Sequence, residues 1–182
     1  MAIGGARANV TVIEYASVGC SHCADWQRDV FPAFKAKYID TGKVRYVLKE
    51  MLNGDASLAA AGFLAARCAG REHYFQVVDT VYAAQSAFAK GGGTTLKDIA
   101  KTAGLDENHL AVCLNSEAGI KALDARVEHS RTADNVSATP TFIIGTAKLE
   151  GEQSLAALDR AIAAATPKLK PHKRRHASVR HG

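Results

Sequence analysis

Strand-forming and helix-forming segments follow one another in an order that few folds can accommodate. Residues 9–15 are rich in β-branched side chains and predict a buried strand. Residues 21–38 place apolar side chains at helical spacing, and Pro32 is expected to kink this helix. Residues 43–48 alternate between apolar and polar side chains, which predicts a second strand. Together these segments form a β-α-β unit, in which the crossover is right-handed and the two strands are parallel.

The rest of the chain predicts a helical block followed by a second piece of sheet. Between residues 54 and 133 apolar side chains recur at helical spacing in four or five segments, two of which start at the N-cap residues Asp55 and Asp106. Two strands and an amphipathic helix are then predicted at 138–145, 148–151 and 153–165. We therefore divide the chain into a first sheet half, an all-helical insertion, a second sheet half and a basic tail, at 1–53, 54–133, 134–166 and 167–182.

Charge and hydropathy exclude several classes of protein. The 182 residues carry a formal charge of +5, but six Lys and Arg lie beyond Pro167 without an acid, and the remainder has a charge of −1. We interpret this end as a solvated, disordered tail and predict no nucleic-acid partner. No apolar run approaches the ~20 residues that span a bilayer. Residues 1–7 lack the apolar core of a signal peptide, which leaves a cytosolic chain or one that has lost its signal.

The Cys20-Ser21-His22-Cys23 motif stands where the first strand has ended and the first helix begins. The unpaired N–H groups and positive dipole end of that helix favour a thiolate at Cys20, so its pKa is expected to lie below that of a free thiol. His22 adds positive charge when it is protonated. The disulfide between Cys20 and Cys23 is therefore predicted to be oxidising, with Cys23 as the resolving thiol.

A Cys-x-x-Cys motif also occurs in zinc sites and in structural disulfides. A zinc site of the usual kind needs a second close pair of ligands, and the remaining cysteines, Cys68 and Cys113, are 45 residues apart. We therefore predict no metal site. Cys68 and Cys113 either form a disulfide, worth about 4 kcal/mol in the chain-entropy model, or remain two separate buried thiols. The bridge is the interpretation that we favour.

Two further positions suggest roles near the motif. Glu14 lies among apolar residues of the first strand, and it is either a strand-end acid reaching solvent or a buried acid that relays the proton of Cys23. Pro140 enters the second sheet half after Thr139. If the bond between them is cis, this loop can approach Cys20 and offer backbone groups to an extended substrate.

These segments resemble the DsbA-like branch of the thioredoxin superfamily over about Val10 to Ala165. The resemblance rests on Val12-Ile13-Glu14-Tyr15 before the Cys20–Cys23 motif, on the Ala65–Ala69 and Cys113-Leu114 segments of the insertion, and on Val136 to Phe142. It implies an α/β thioredoxin fold with an inserted all-helical subdomain. One departure is Ser21, where the best-known members carry proline, and this leaves the strength of the oxidant open.

The resemblance also implies roles for individual residues. Cys20 would be the exposed nucleophile, Cys23 the resolving cysteine and His22 the residue that tunes the disulfide. Glu14 would be the buried acid of the family, and Thr139 with Pro140 the cis-proline loop that binds substrate. No cofactor is implied beyond the redox-active disulfide.

Three functions follow as hypotheses. The first is an enzyme that introduces disulfides into reduced client proteins; the resemblance implies a bacterial periplasm or cell-envelope location and a quinone-linked membrane partner that re-oxidises it. The second is a reductase or isomerase on the same fold, kept reduced by a reducing partner. The third is a metal-binding or chaperone module that uses Cys20, His22 and Cys23 as ligands. We expect a monomer.

Overall fold

A computed structural model describes residues 1–91 and 95–167 of the chain. Within them the five strands are β1 Ala2–Gly4, β2 Val10–Ala16, β3 Val44–Glu50, β4 Thr141–Ile144 and β5 Ala147–Glu150. The helices are α1 Ser21–Asp29, α2 Phe31–Phe34, α3 Ala56–Cys68, α4 Gly70–Ala89, α5 Leu96–Thr102, α6 Glu107–Leu114, α7 Glu117–Thr132 and α8 Leu155–Ala165, with a π-helical turn at Lys35–Ile39. The predicted tail falls outside the described residues from position 168 onward.

The strands form one mixed sheet in the order β1-β3-β2-β4-β5. β2 and β3 are parallel neighbours, as the β-α-β pattern predicts, while the other pairs are antiparallel. Helices α3 to α7 all lie between β3 and β4 in the chain. This confirms a thioredoxin fold with an inserted helical region, whereas the division of the chain into four domains stays a prediction.

The first helical segment is interrupted at Val30 and not merely kinked. α1 ends at Asp29, and α2 starts at Phe31 with Pro32 in its first turn, where a missing N–H costs no helical hydrogen bond. The ladder continues across the break, because the N–H groups of Val30 and Phe34 still bond to carbonyls four residues earlier. The predicted helix over 21–38 is therefore three short helical pieces in series.

A layer of aromatic side chains fixes α1 and α2 against the sheet. The ring of Trp26 lies 4.8 Å from that of Phe142 on β4 and 5.7 Å from that of Phe31, and Phe31 lies 5.3 Å from Tyr46 on β3. All of these side chains are buried. Their burial makes the start of α1 a rigid position, since aromatic side chains dominate the apolar area removed from water.

Candidate active site

The cysteine motif is held by a tight turn between β2 and α1. The Cys20 N–H donates to the carbonyl of Ser17 at 3.0 Å, and the Ser17 hydroxyl donates to the Asn53 carbonyl at 2.7 Å. Gly19 and Gly54 face each other so closely that a Cβ on either would collide with the opposing backbone. The two glycines therefore let two loops meet directly beneath Cys20.

Cys20 is the N-cap of α1, which is where the sequence places it. A hydrogen bond from Cys23 lowers the pKa of Cys20 to about 5, against the opposing effect of burial, and contacts with Thr139 and with the N–H groups of the first helical turn add to the lowering. The Cys20 sulfur lies 3.5 Å from the Thr139 carbonyl. At neutral pH this geometry favours the thiolate.

The family resemblance implies that Cys20 is exposed, but the structure shows that most of this residue is buried. Only 8% of its surface is accessible, because the Gly54 turn packs against its backbone and the Thr139 carbonyl lies against its sulfur. It nevertheless forms part of the wall of a surface groove. The accessible part of Cys20 therefore faces this groove.

Cys23 lies one helical turn further on and has no accessible surface. Burial raises the pKa of Cys23 far above its ordinary value, and the nearby Cys20 sulfur and the Glu14 carboxylate raise it further. No disulfide joins Cys20 and Cys23 in this structure. Cys20 and Cys23 thus differ strongly in acidity: near neutral pH the Cys20 thiol is ionised and the Cys23 thiol keeps its proton.

Glu14 is buried, which removes the alternative of a strand-end acid reaching solvent. It pairs with Leu48 on β3 and Phe142 on β4, and only 1% of its surface is accessible. Burial raises the pKa of Glu14 to about 8, although a hydrogen bond from the Tyr46 hydroxyl opposes this change. A carboxyl with this pKa exchanges protons near neutral pH.

His22 projects into solvent and binds an acid that sequence analysis did not single out. Its Nδ1 lies 2.6 Å from Oε1 of Glu152, which follows β5. This hydrogen bond and the negative charge of Glu152 raise the pKa of His22. The residues are 130 positions apart, and no local pattern in the chain connects them.

The Thr139–Pro140 peptide bond is cis, and its loop faces the motif from the other half of the fold. The carbonyl of Pro140 accepts a hydrogen bond of 2.8 Å from the Gly151 N–H, which ties the loop to the end of β5. Among the described residues the buried Thr139 hydroxyl has no hydrogen-bond partner. The structure thus brings Thr139 and Pro140 together with Cys20.

The groove beside Cys20 has a volume of about 1310 Å³. Its walls come from α1 to α5 and the Gly54 loop. They combine apolar side chains such as Phe31, Leu58 and Phe88 with the polar groups of Gln27 and Asp79. Phe88 and Asp79 belong to the helical insertion, so the groove is formed by both parts of the fold.

The other two cysteines lie away from the motif. A disulfide joins Cys68 at the end of α3 to Cys113 in α6, and their Cα atoms are 6.1 Å apart, within the ordinary range for such a bond. It links two helices of the insertion and does not contribute a sulfur to the groove.

One group of described side chains has the spacing of metal ligands. Ligand atoms of His22, Asp25 and Glu152 lie within 4.8 Å of one another. The group contains neither Cys20 nor Cys23, so the geometry gives no support to a zinc site built on the cysteine motif.

The family model described as thioredoxin matches residues 1–164, which is most of the chain and includes both halves of the sheet. The chain belongs to the thioredoxin family. In the described residues, no helix has the length and apolar character needed to cross a membrane.

The chain is also similar to proteins of Rickettsia. A protein of Rickettsia typhi, whose name provisionally assigns it to the protein-disulfide oxidoreductases, is 32% identical over 168 residues, covering 89% of this chain and 62% of its own length. A Rickettsia felis protein of the same provisional assignment is 33% identical, covering 79% of this chain and 52% of its own. The chain thus spans between half and two thirds of these relatives.

Solved structures share the architecture. The crystal structure of Wolbachia pipientis α-DsbA1 superposes with a TM-score of 0.81 at 24% identity, covering 91% of this chain and 89% of the other. A protein-disulfide isomerase from Novosphingobium aromaticivorans gives 0.75 at 21% identity, with coverages of 92% and 97%. The chain therefore shares its fold with these two proteins.

Proposed function

We propose that this protein is a thiol-disulfide oxidoreductase that transfers the Cys20–Cys23 disulfide to pairs of thiols in client proteins. One observation carries the proposal. The pKa of Cys20 is lowered to about 5 at the start of α1, while burial raises the pKa of Cys23. A stable Cys20 thiolate is a good leaving group, so the reduced pair is favoured over the disulfide and the disulfide is oxidising.

The reaction proceeds in two exchanges. A client thiolate attacks the Cys20 sulfur, the Cys20–Cys23 bond breaks, and Cys23 leaves and takes a proton from the Glu14 carboxyl. A second client thiolate then attacks the client sulfur of the mixed disulfide and expels Cys20 as a thiolate. The client gains one disulfide and the enzyme is left as the dithiol, so electrons and bonds balance without a cofactor.

The residues around the sulfurs have separate tasks. His22 adds positive charge beside the Cys20 thiolate when it is protonated, and Glu152 favours that protonated form. Thr139 and Pro140 offer the edge of their loop to an extended client chain, next to the sulfur that is attacked. Entry through the groove brings the apolar residues of the client against Phe31 and Phe88.

Re-oxidation and location follow from the same proposal. Each turnover leaves a dithiol, so a partner must withdraw two electrons, and the family resemblance points to a quinone-linked membrane protein. Such a cycle belongs in the bacterial periplasm or cell envelope, where the disulfide between Cys68 and Cys113 also persists. We propose that this disulfide is structural and that the enzyme acts as a monomer.

A redox titration against glutathione tests the direction of the reaction. We expect the reduction potential of the Cys20–Cys23 disulfide to be far more positive than the ~−270 mV of thioredoxin, as befits a strongly oxidising disulfide. A value near that of thioredoxin would contradict the oxidase and support a reductase. Efficient rearrangement of a scrambled client by the reduced protein, without net oxidation, would support an isomerase.

The variant Cys23→Ser tests the order of the two cysteines. Without Cys23 the mixed disulfide at Cys20 cannot be resolved from within, so clients are expected to accumulate as covalent adducts. The matched variant Cys20→Ser should form none. Equal adduct yields in the two variants would contradict the assignment of Cys20 as nucleophile.

A further inference from the structure

Asp79, in the middle of α4, is an acid in the wall of the groove that contains Cys20. Its carboxylate accepts a hydrogen bond of 2.8 Å from the Gln27 amide on α1. Among the described residues Asp79 forms no salt bridge, so its only bonded partner there is a neutral amide. A carboxylate without a cation beside it is available to a positively charged group that enters the groove.

The cations of the groove wall are already paired within the protein. Arg28 lies 2.8 Å from Asp25 and 2.7 Å from Asp29. Lys35 lies 2.6 Å from Asp40. Neither cation is therefore bonded to Asp79, and both carry a counter-charge that weakens their effect on the groove.

The charged groups nearer to Cys20 are also paired or capped. The Asp55 carboxylate accepts a hydrogen bond of 2.9 Å from the Leu58 N–H as the N-cap of α3, where the positive end of the helix offsets its charge. His22 lies 2.6 Å from Glu152. Asp79 thus differs from the other acids of the wall, because it has neither a cationic partner nor a capping role.

Asp79 keeps its negative charge above neutral pH. Desolvation raises the pKa of Asp79 to about 6, and the positive charge of Lys35 and the hydrogen bond from Gln27 oppose this change. A client that arrives at about pH 8 therefore meets a carboxylate and not a neutral carboxyl group.

The position of Asp79 along the groove relates it to the attacked sulfur. Gln27, which contacts Asp79, follows Cys20 by seven residues in the sequence, and a helix rises 1.5 Å per residue. The two positions are therefore about 10 Å apart along α1. An extended client advances about 3.3 Å per residue, so a long side chain about two to four residues from the client cysteine reaches this carboxylate.

We propose that Asp79 selects clients that carry a lysine or arginine about two to four residues from the cysteine that attacks Cys20. This inference rests on the proposed function and names the substrate class of the same site. The client ammonium or guanidinium group binds the Asp79 carboxylate. The aliphatic stem of the client side chain lies against apolar residues of the wall, such as Phe31 and Phe88.

The same charge arrangement disfavours an acidic client residue at this position. A client carboxylate there would be repelled by Asp79, and Lys35, the cation that acts on Asp79, is bonded to Asp40. A neutral client residue would lose only the attraction. The expected order of preference is therefore basic, then neutral, then acidic.

Single-cysteine peptides that differ at one position test this order. Peptides with Lys, Gln or Glu three residues before or after the cysteine reduce the oxidised, full chain at about pH 8. One peptide thiolate attacks Cys20 and releases Cys23, and a second attacks the peptide sulfur and releases Cys20, so two peptides end as one disulfide. Loss of the Cys20–Cys23 disulfide is followed by acid quenching, alkylation and mass spectrometry.

A lysine close to the peptide cysteine also makes the peptide thiol more acidic, which changes its reactivity with any disulfide. Each rate constant is therefore divided by that of the same peptide with oxidised glutathione. The ratio of the normalised Lys and Gln rate constants reports recognition by the protein alone.

We expect this ratio to be about threefold in the unmodified protein for one side of the cysteine, the size of a solvent-accessible ion pair, and to fall in about 1 M salt. Asp79→Asn should bring the ratio to about one. Lys35→Gln should raise it, because this change removes a cation that opposes the client cation. The control Asp124→Asn removes an exposed acid of α7 outside the groove wall and should leave the ratio unchanged.

Equal normalised rates for the Lys, Gln and Glu peptides in the unmodified protein overturn the inference, as does a lysine preference that persists in Asp79→Asn or is lost equally in Asp124→Asn. If Asp79→Asn does not fold, the other two arms decide: a preference that salt does not weaken and Lys35→Gln does not raise overturns the inference. A Cys20–Cys23 disulfide that none of the peptides reduces contradicts the proposed function instead. The two failures are therefore distinguishable.

Discussion

Cys20 and Cys23 differ because the first is the N-cap of α1 and the second lies inside the first turn. The N-cap sulfur faces unpaired N–H groups, while the sulfur three residues later faces Glu14 and the packed core. The sequence alone predicts the lowered pKa of Cys20, since the motif follows a strand and starts a helix. It does not predict how completely Cys23 and Glu14 are enclosed, because that depends on packing from β4 and α4.

Glu152 was not predictable from local patterns, yet it controls the charge of His22. Replacing Glu152 by Gln should lower the pKa of His22 and make the Cys20–Cys23 disulfide slightly less oxidising, because the protonated form of His22 becomes rarer. The change in the glutathione equilibrium should be about twofold or less, since exposed ion pairs are screened by solvent. NMR titration of His22 and the redox titration measure the two effects.

The control for this variant is Asp106→Asn, which breaks a similarly exposed pair with His109 in α6 while keeping a helix-capping side chain. It should leave the glutathione equilibrium unchanged. If Glu152→Gln left the pKa of His22 where it is, the pairing in the structure would be contradicted.

Glu14 makes the stability of the reduced protein depend on pH. Its pKa is raised from 4.5 to about 8 on folding, so the folded state holds a proton that the unfolded state releases. The contribution is fully present below about pH 4.5 and is lost as the pH rises through about 8. Glu14→Gln cannot ionise and avoids this loss, so its stability relative to the unmodified protein should rise by up to about 5 kcal/mol as the pH increases across this range.

Urea unfolding of both proteins at about pH 5 and about pH 8.5 measures that difference. A difference between the two proteins that did not change with pH would mean that Glu14 ionises with an ordinary pKa, and it would remove the basis for its role in proton transfer.

Among the elements, those with strong periodicity were predicted and those that depend on partners were not. The caps at Asp55 and Asp106 and the parallel pairing of β2 with β3 are confirmed. The kink expected at Pro32 is instead a break between α1 and α2. β1 was missed, because three residues carry no alternation. It exists through antiparallel pairing with β3, in which Ile3 opposes Tyr46.

Glu50, at the end of β3, connects the sheet to the helical insertion. Its buried carboxylate accepts hydrogen bonds from Arg67 on α3, Tyr74 on α4 and Arg126 on α7, at 2.6 to 2.9 Å. Burial alone would raise the pKa of Glu50, but the two arginines more than offset this and hold its pKa below the ordinary value. One side chain therefore ties three helices to one strand.

Replacing Glu50 by Gln should lower the free energy of unfolding by about 3–5 kcal/mol, because two partly buried arginines lose their counter-charge. Thermal or urea unfolding at neutral pH measures the loss. Glu128→Gln, an exposed change on α7, should stay within about 0.5 kcal/mol. A loss as small as that of Glu128→Gln would show that the insertion is anchored elsewhere.

The disulfide between Cys68 and Cys113 acts within the insertion. Replacing both cysteines by Ala should lower the free energy of unfolding by about 4 kcal/mol, because the bridge closes a loop of 45 residues in the unfolded chain. The rate at which Cys20 is alkylated should stay the same, since neither residue lines the groove. A large change in that rate with little loss of stability would give this disulfide a redox role instead.

At the scale of the whole molecule, the order of segments was enough to predict the fold, and the groove was not predictable. β-α-β and β-β-α halves have few ways to share a sheet, so the fold follows from the pattern. The groove arises where α1 meets α4, through contacts such as Gln27 with Asp79, which are 52 residues apart. No periodicity in the chain encodes a contact of that kind.

The proposed oxidation of client thiols depends on the acidity of Cys20, which the pH dependence of its alkylation measures most directly. Reduced protein is treated briefly with iodoacetamide across the pH range, and Cys23, being buried, reacts too slowly to interfere. We predict a midpoint near pH 5, the pKa of the helix-capped Cys20 thiol. A midpoint near the ~8.5 of an ordinary cysteine would contradict it.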